Sequence, residues 1–321
     1  MTPDGLGRHD SWEGVRAVVA GFGASGFAAA DNLNHLGAHV VALDESDAGD
    51  RAEKAELLEV LGADVRLGPG ATATLPDDVD LLVVSPGPTT PLLAQAVARG
   101  VPVWGEVELA WRLRDPQHDT PWLCVTGSDG TTTTVQMLDA ILRAAGRRSI
   151  AVGQAGLPIV EAVMDPEPYD VLAVGLSGSQ LRHTGSMSAE SAAVLAAEDD
   201  AAERGRVYEQ VQRACVYNVA DPETERLVRE ADVVEGARAI GFTLGMPAVG
   251  MVGLVEDILA DRAFIEQRDN SAAELCTIAD LASPEPAFVA HALAAAALAR
   301  AHGVTQAAVR DGLRAFRPES A

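Results

Sequence analysis

Two glycine loops are where residue type and spacing in this chain could do chemistry. The first, Gly21-Phe22-Gly23-Ala24-Ser25-Gly26, has the form G-x-G-x-x-G. It follows an apolar, β-branched run at 15–20 and opens a stretch at 24–36 with helical spacing. Glycines let the backbone turn tightly and approach a diphosphate. The helix that follows offers N–H groups and the positive end of its dipole. Asp44 and Glu45 close the next apolar run, at 39–43, where a carboxylate can reach a ribose hydroxyl. Taken alone, this fingerprint favours NAD or FAD, and a tight turn without ligand is the competing reading.

The second loop, Gly127-Ser128-Asp129-Gly130-Thr131-Thr132-Thr133, lies between a strand at 122–126 and a helix at 131–145. Its frame is that of a short P-loop. Such a loop wraps backbone N–H groups round phosphates, a lysine adds charge, and the next hydroxyl holds magnesium. Here Thr131 stands at the lysine place. A Lys–phosphate pair at close range is worth about 4 kcal/mol at the effective dielectric usual in proteins, which a threonine cannot supply. Asp129 adds a negative charge that opposes phosphates. A plain structural turn is the expectation.

These loops need elements to position them. Further strands are expected at 63–67, 79–84 and 101–104, with helices at 51–61, 91–99 and 105–113. Strands alternating with helices imply a parallel sheet with crossovers. The polar run 114–120 reads as a linker. A second α/β series follows, with strands expected at 149–152, 170–176, 192–197, 214–218 and 237–242. Residues 249–278 read as a small β meander, and helices at 286–302 and 305–315 close the chain. The expected domains are 1–115, Rossmann-like, and 121–321, a P-loop-type α/β domain.

Composition removes several function classes. The chain of 321 residues is 48% hydrophobic and 22% charged, an ordinary globular balance. A net charge of -23 argues against nucleic acid, which needs clustered cations. There is no apolar run of about 18 residues to span a membrane, and the N-terminus lacks a signal peptide's basic start and apolar core. A cytoplasmic protein is expected, its three cysteines, Cys124, Cys215 and Cys276, remaining free thiols. Only one lysine is present, Lys54, so lysine chemistry elsewhere is excluded. The histidines form no metal-ligand spacing. The acidic run Glu198-Asp199-Asp200, with Glu203, reads as a solvated helix start. Trp104, Trp111 and Trp122 read as packing residues.

The order of these features resembles the Mur ligase family, nearest its D-glutamate-adding members. The likeness is carried by both loops, the Ser85-Pro86-Gly87 turn and Gly105-Glu106-Val107-Glu108-Leu109-Ala110. It continues through Val125 to Leu142, Gly153-Gln154-Ala155-Gly156, Ala173 to Leu181, and Ala292 to Phe316. In that family the first domain binds the UDP of a UDP-muramoyl peptide, the central domain binds ATP and magnesium, and a third holds the incoming amino acid. ATP makes an acyl phosphate that the amine attacks. The resemblance ends before the third domain, which is expected to be absent.

Against that pattern several positions depart. Thr131 replaces the loop lysine and Asp129 its neighbouring asparagine. Gly175 replaces the magnesium-binding glutamate. Arg204 stands where the family carries a carbamylated lysine. Ala287, Phe288 and His291 replace the H-N-x-x-N residues near adenine. The resemblance with these losses implies a non-catalytic relative that binds a UDP-sugar or related nucleotide through Gly21 to Gly26, Asp44, Glu45 and Ser85 to Gly87. No catalytic residue, metal ligand or cofactor is assigned, and a protein partner or homodimer is the expected means of action. Two alternatives stay open. One is an ATP- and magnesium-dependent amide ligase completed by a partner. The other is a dinucleotide-dependent redox protein.

Overall fold

The computed structural model describes residues 3–86, 91–154, 156–198 and 200–318. These form two compact units. The first comprises 1–119, 158–168 and 179–186; the second comprises 120–157, 169–178 and 187–321.

The first unit is built from β1 (Arg16–Ala20), α1 (Ala24–His35), β2 (His39–Asp44), α2 (Arg51–Val60), β3 (Asp64–Leu67), β4 (Leu81–Val84), α3 (Pro91–Arg99), β5 (Val103–Gly105) and α4 (Glu106–Arg112). Its sheet is wholly parallel, in the order β3-β2-β1-β4-β5. The buried runs Val18-Val19-Ala20 and Leu81-Leu82-Val83 make its centre, because parallel strands covered on both faces need near-continuous apolar sequence. The chain leaves β1 toward β2 on one side and returns to β4 on the other. This reversal opens a crevice at the carboxyl ends of β1 and β4, the usual ligand position in such sheets.

The second unit begins with β6 (Trp122–Thr126), α5 (Thr131–Ala144) and β7 (Ser149–Gly153). A short helix, α6 (Ile159–Met164), then belongs to the first unit. Next come β8 (Val171–Leu176), α7 (Gly178–Leu181), β9 (Ser191–Val194), α8 (Ala201–Gly205), β10 (Ala214–Asn218), α9 (Pro222–Glu230) and β11 (Arg238–Phe242). β12 (Met251–Val255), β13 (Ile258–Asp261), β14 (Ala273–Thr277), α10 (Pro286–Ala301) and α11 (Gln306–Ala315) complete it. The sheet runs β14-β13-β12-β11-β10-β9-β6-β8-β7, parallel except for the antiparallel pairs β12–β13 and β13–β14. The expected meander is thus the edge of the large sheet. The β9 ladder ends at Val194 rather than 197, because the Ala197 N–H turns to the Asp221 carboxylate, at 2.9 Å.

The alanine-rich α10 is core material, with Ala292 to Ala299 fully buried. α11 packs closely on α5, where Gly312 leaves no room for a side chain. A β carbon there would lie 2.4 Å from the Ile141 Cα. Trp104, Trp111 and Trp122 are all buried, as packing residues should be. Among the described residues no helix is long and apolar enough to cross a membrane.

Candidate functional site

Gly21 ends β1 with φ +96°, a left-handed conformation that favours glycine. A β carbon on it would meet the Ser85 Cβ at 2.7 Å. Gly26 is held more tightly, since its β carbon would lie 1.8 Å from the Gly21 carbonyl oxygen. These contacts let α1 dock against the β1 turn. Gly23 differs, because a β carbon there meets nothing within 4 Å. It is the N-cap of α1 and provides no side-chain cap, so the first-turn N–H groups are available to an anion.

A cavity of about 330 Å³ opens above these residues, within the first unit. Gly21, Gly23, Asp44, Glu45, Ser85 and Pro86 line it. The structure therefore brings together six of the residues expected from sequence. Phe22, Ala24, Ser25 and Gly26 do not line it; Phe22 is fully buried, edge-on to Phe27. Gly87 lies outside the described residues, as do Ala155 and Asp199.

The two acidic residues are already engaged. Asp44 accepts the Phe22 N–H through Oδ2 at 2.6 Å and the Ser46 N–H through Oδ1 at 2.8 Å. Its role is to hold the loop, and the Phe22 N–H is not left for a phosphate. Glu45 accepts from the Thr72 hydroxyl and from the N–H groups of Gly70 and Thr72. Those donors, Thr72 first, hold its carboxyl below the usual range.

Other wall residues were not assigned to a site from the sequence: Arg51, Thr72, Glu106, Gln180, Arg182 and His183. The last three arrive on 179–186, a segment pinned by Glu108. Its carboxylate accepts the Gly185 and Ser186 N–H groups at 2.8 and 2.9 Å, the Ser186 hydroxyl at 2.7 Å and Arg112 Nε at 2.6 Å. Burial works against its charge, but these donors outweigh burial and hold its pKa down. Glu106, one turn-half away on α4, is the opposite case. It is 2% exposed, its Oε1 accepts the Val160 N–H at 2.9 Å, and its Oε2 meets no donor among the described residues. Burial pushes its carboxyl up to about 7.

The second loop is closed from within. The Gly130 N–H donates to its neighbour Asp129 Oδ1 at 2.7 Å. The Thr131 hydroxyl donates to the Gly127 carbonyl at 3.3 Å. Gly130 has φ +75°, and the His291 ring lies 1.9–2.6 Å from where its β carbon would be. Burial pushes His291 below the ordinary imidazole range, with Asp129 opposing. Arg204 is buried, pairs with Asp200 and donates Nη1 to the Thr126 hydroxyl at 3.1 Å. Asp200 in turn occupies the space a side chain at Gly178 would need. Gly175 offers only its carbonyl, which takes the Gln154 N–H at 2.7 Å. Phe288 stacks toward Phe316, and Ala287 is exposed. No group of three His, Cys, Asp or Glu among the described residues is placed to hold a metal. The loop thus engages its Gly130 N–H and Thr131 hydroxyl internally and presents no lysine to a γ-phosphate.

No family model matches the chain. Similar proteins are numerous nonetheless. UDP-N-acetylmuramoylalanine–D-glutamate ligase of Streptomyces avermitilis is 53% identical over 97% of this chain and 68% of its own length. The same-named protein of Streptomyces coelicolor is 52% identical over 96% and 68%. Among solved structures, UDP-N-acetylmuramate:L-alanyl-γ-D-glutamyl-meso-diaminopimelate ligase from Neisseria meningitides superposes with a TM-score of 0.63 at 16% identity, over 96% of this chain and 99% of that one. UDP-N-acetylmuramate–alanine ligase from Thermotoga maritima gives 0.53 at 17% identity, over 94% and 68%. At these identities the structural likeness concerns the fold: a Rossmann-like parallel sheet and a P-loop-type α/β domain of Mur ligase architecture.

Proposed function

The chain belongs to the UDP-N-acetylmuramoylalanine–D-glutamate ligase family, and on that premise we propose that it binds a UDP-linked amino sugar without performing ATP-driven ligation. The ligand lies in the 330 Å³ cavity, its diphosphate on the first-turn N–H groups of α1 beside Gly23. Ser85 and Pro86 form the opposite wall. The protein acts in the cytoplasm as a binding or regulatory module, through a partner protein or as a homodimer.

The observation that carries this reading is the His291 ring seated on Gly130. It packs against the loop glycine, while the first loop faces an open cavity. The Asp129 and Thr131 hydrogen bonds support the same reading. Calorimetry with UDP-N-acetylmuramoyl-alanine and, separately, with Mg-ATP tests it. Binding of the first and none of the second is expected. A dissociation constant for Mg-ATP below about 100 μM, roughly -5.5 kcal/mol, would overturn it.

The second reading is an active D-glutamate ligase. It is favoured by the 53% identity to a protein of that name. It requires His291 to leave Gly130 and a cation from elsewhere to face the γ-phosphate.

A further inference from the structure

Within the first-unit cavity, Glu106 is a buried carboxyl with one oxygen unspent. Oε1 is held by the Val160 N–H on α6. Glu106 lines the same cavity as Gly23 and Ser85, and its Oε2 is buried and has no donor among the described residues. A buried polar atom left without a partner costs about 1–3 kcal/mol, so a ligand entering the cavity that Glu106 lines can gain by supplying that partner. Glu108, two residues on, shows that this helix can satisfy a carboxylate fully when the chain supplies donors.

We infer that Glu106 binds the ligand as a neutral carboxylic acid, donating its Oε2–H to a phosphoryl oxygen of a nucleotide diphosphate. This deepens the proposed function and rests on its placement of a UDP-sugar in the cavity. A carboxylate could not do it, because two anions would then face each other in a buried site. The neutral acid can, and an approaching diphosphate strengthens its hold on the proton.

The charged neighbours set the sign. On α6, Glu161 disfavours ionisation of Glu106. On α1 stand Asp31 and His35, and on α4 itself the paired Glu108 and Arg112. Across the cavity are Asp44 and Glu45, tied to backbone donors. Arg51, Arg182 and His183 are the cationic or titratable groups of the wall. Arg51 lies 3.6 Å from Asp44. The groups that hold Glu106 are backbone N–H groups, and none is a cation that would hold its charge.

The test is calorimetry with UDP-N-acetylmuramoyl-alanine, whose diesterified diphosphate does not titrate in the window used. For the unaltered protein, affinity should hold up to about pH 7 and then fall by up to about tenfold per pH unit. Above that point, heats in phosphate and Tris buffers should differ by the uptake of up to about one proton per ligand. Glu106→Gln keeps a donor and should bind with a flat pH profile. Glu106→Ala should bind more weakly throughout. A pH slope that survives in Glu106→Gln assigns the titration to another group and overturns the inference. So does a flat profile in the unaltered protein. If Glu106→Gln does not fold, the two-buffer comparison on the unaltered protein decides alone: equal heats overturn the inference. No binding at any pH sinks the cavity reading itself, which separates that failure from this one.

Discussion

Glu106 should make the first unit less stable as pH rises, with or without ligand. Its folded pKa stands near 7 against an ordinary 4.5. Between those values the folded protein keeps a proton that the unfolded chain has released. Stability is therefore fully present below 4.5, declines through the window, and levels off above about 7. A shift of this size at about 1.4 kcal/mol per unit corresponds to roughly 3 kcal/mol. Glu106→Gln has no proton to lose, and its amide oxygen can still accept the Val160 N–H. Urea unfolding of both proteins at about pH 5 and about pH 8, followed by hydrogen exchange of β1 and β4 amides, isolates the effect. The unaltered protein should lose about 2–3 kcal/mol more than the variant between the two conditions. Equal losses would show that Oε2 finds a partner when folded and would refute the reasoning.

Four further outcomes follow from the structure. Gly23→Val should leave the fold intact, because nothing lies within 4 Å of a β carbon there. It should nonetheless weaken UDP-N-acetylmuramoyl-alanine at least about tenfold, or 1.4 kcal/mol, by calorimetry. Gly26→Ala should instead destabilise the first unit by about 3 kcal/mol, since its new carbon meets the Gly21 carbonyl; urea denaturation reads this. Reopening the second loop with His291→Asn, Asp129→Asn and Thr131→Lys together should bring Mg-ATP binding into the range of about 100 μM or tighter, with no gain if the loop backbone is not a P-loop. Burial pushes the Cys215 and Cys276 thiols up to about 12 and Cys124 higher. At about pH 8 a thiol reagent should therefore label none of the three until denaturant is added.

The first loop was legible because its physics leaves a mark in sequence. Gly21 needs a positive φ, and Gly26 must admit a carbonyl at close range, so both positions require glycine. The strand runs before and after it placed Asp44, Glu45 and Ser85 at one sheet edge. What a carboxylate does there is another matter. Asp44 spends itself on the Phe22 and Ser46 N–H groups, a choice set by local turn geometry that residue type does not encode. The second loop's altered residues were visible too, but His291 on Gly130 joins segments far apart in the chain. Periodicity reports only neighbours. The same applies to Gln180, Arg182 and His183, which fold back into the first unit although the surrounding chain belongs to the second. Glu106 read as one letter of a resemblance; only burial singles it out from Glu108.

The central claim is ligand binding without turnover. Its most direct measurement is phosphate release from Mg-ATP in the presence of UDP-N-acetylmuramoyl-alanine and D-glutamate, at protein concentrations that saturate the sugar nucleotide. The closed loop predicts phosphate no greater than in the no-protein control, and no dipeptide product. Release above that control, abolished by Gly127→Val in the same preparation, would contradict the account and establish an active ligase.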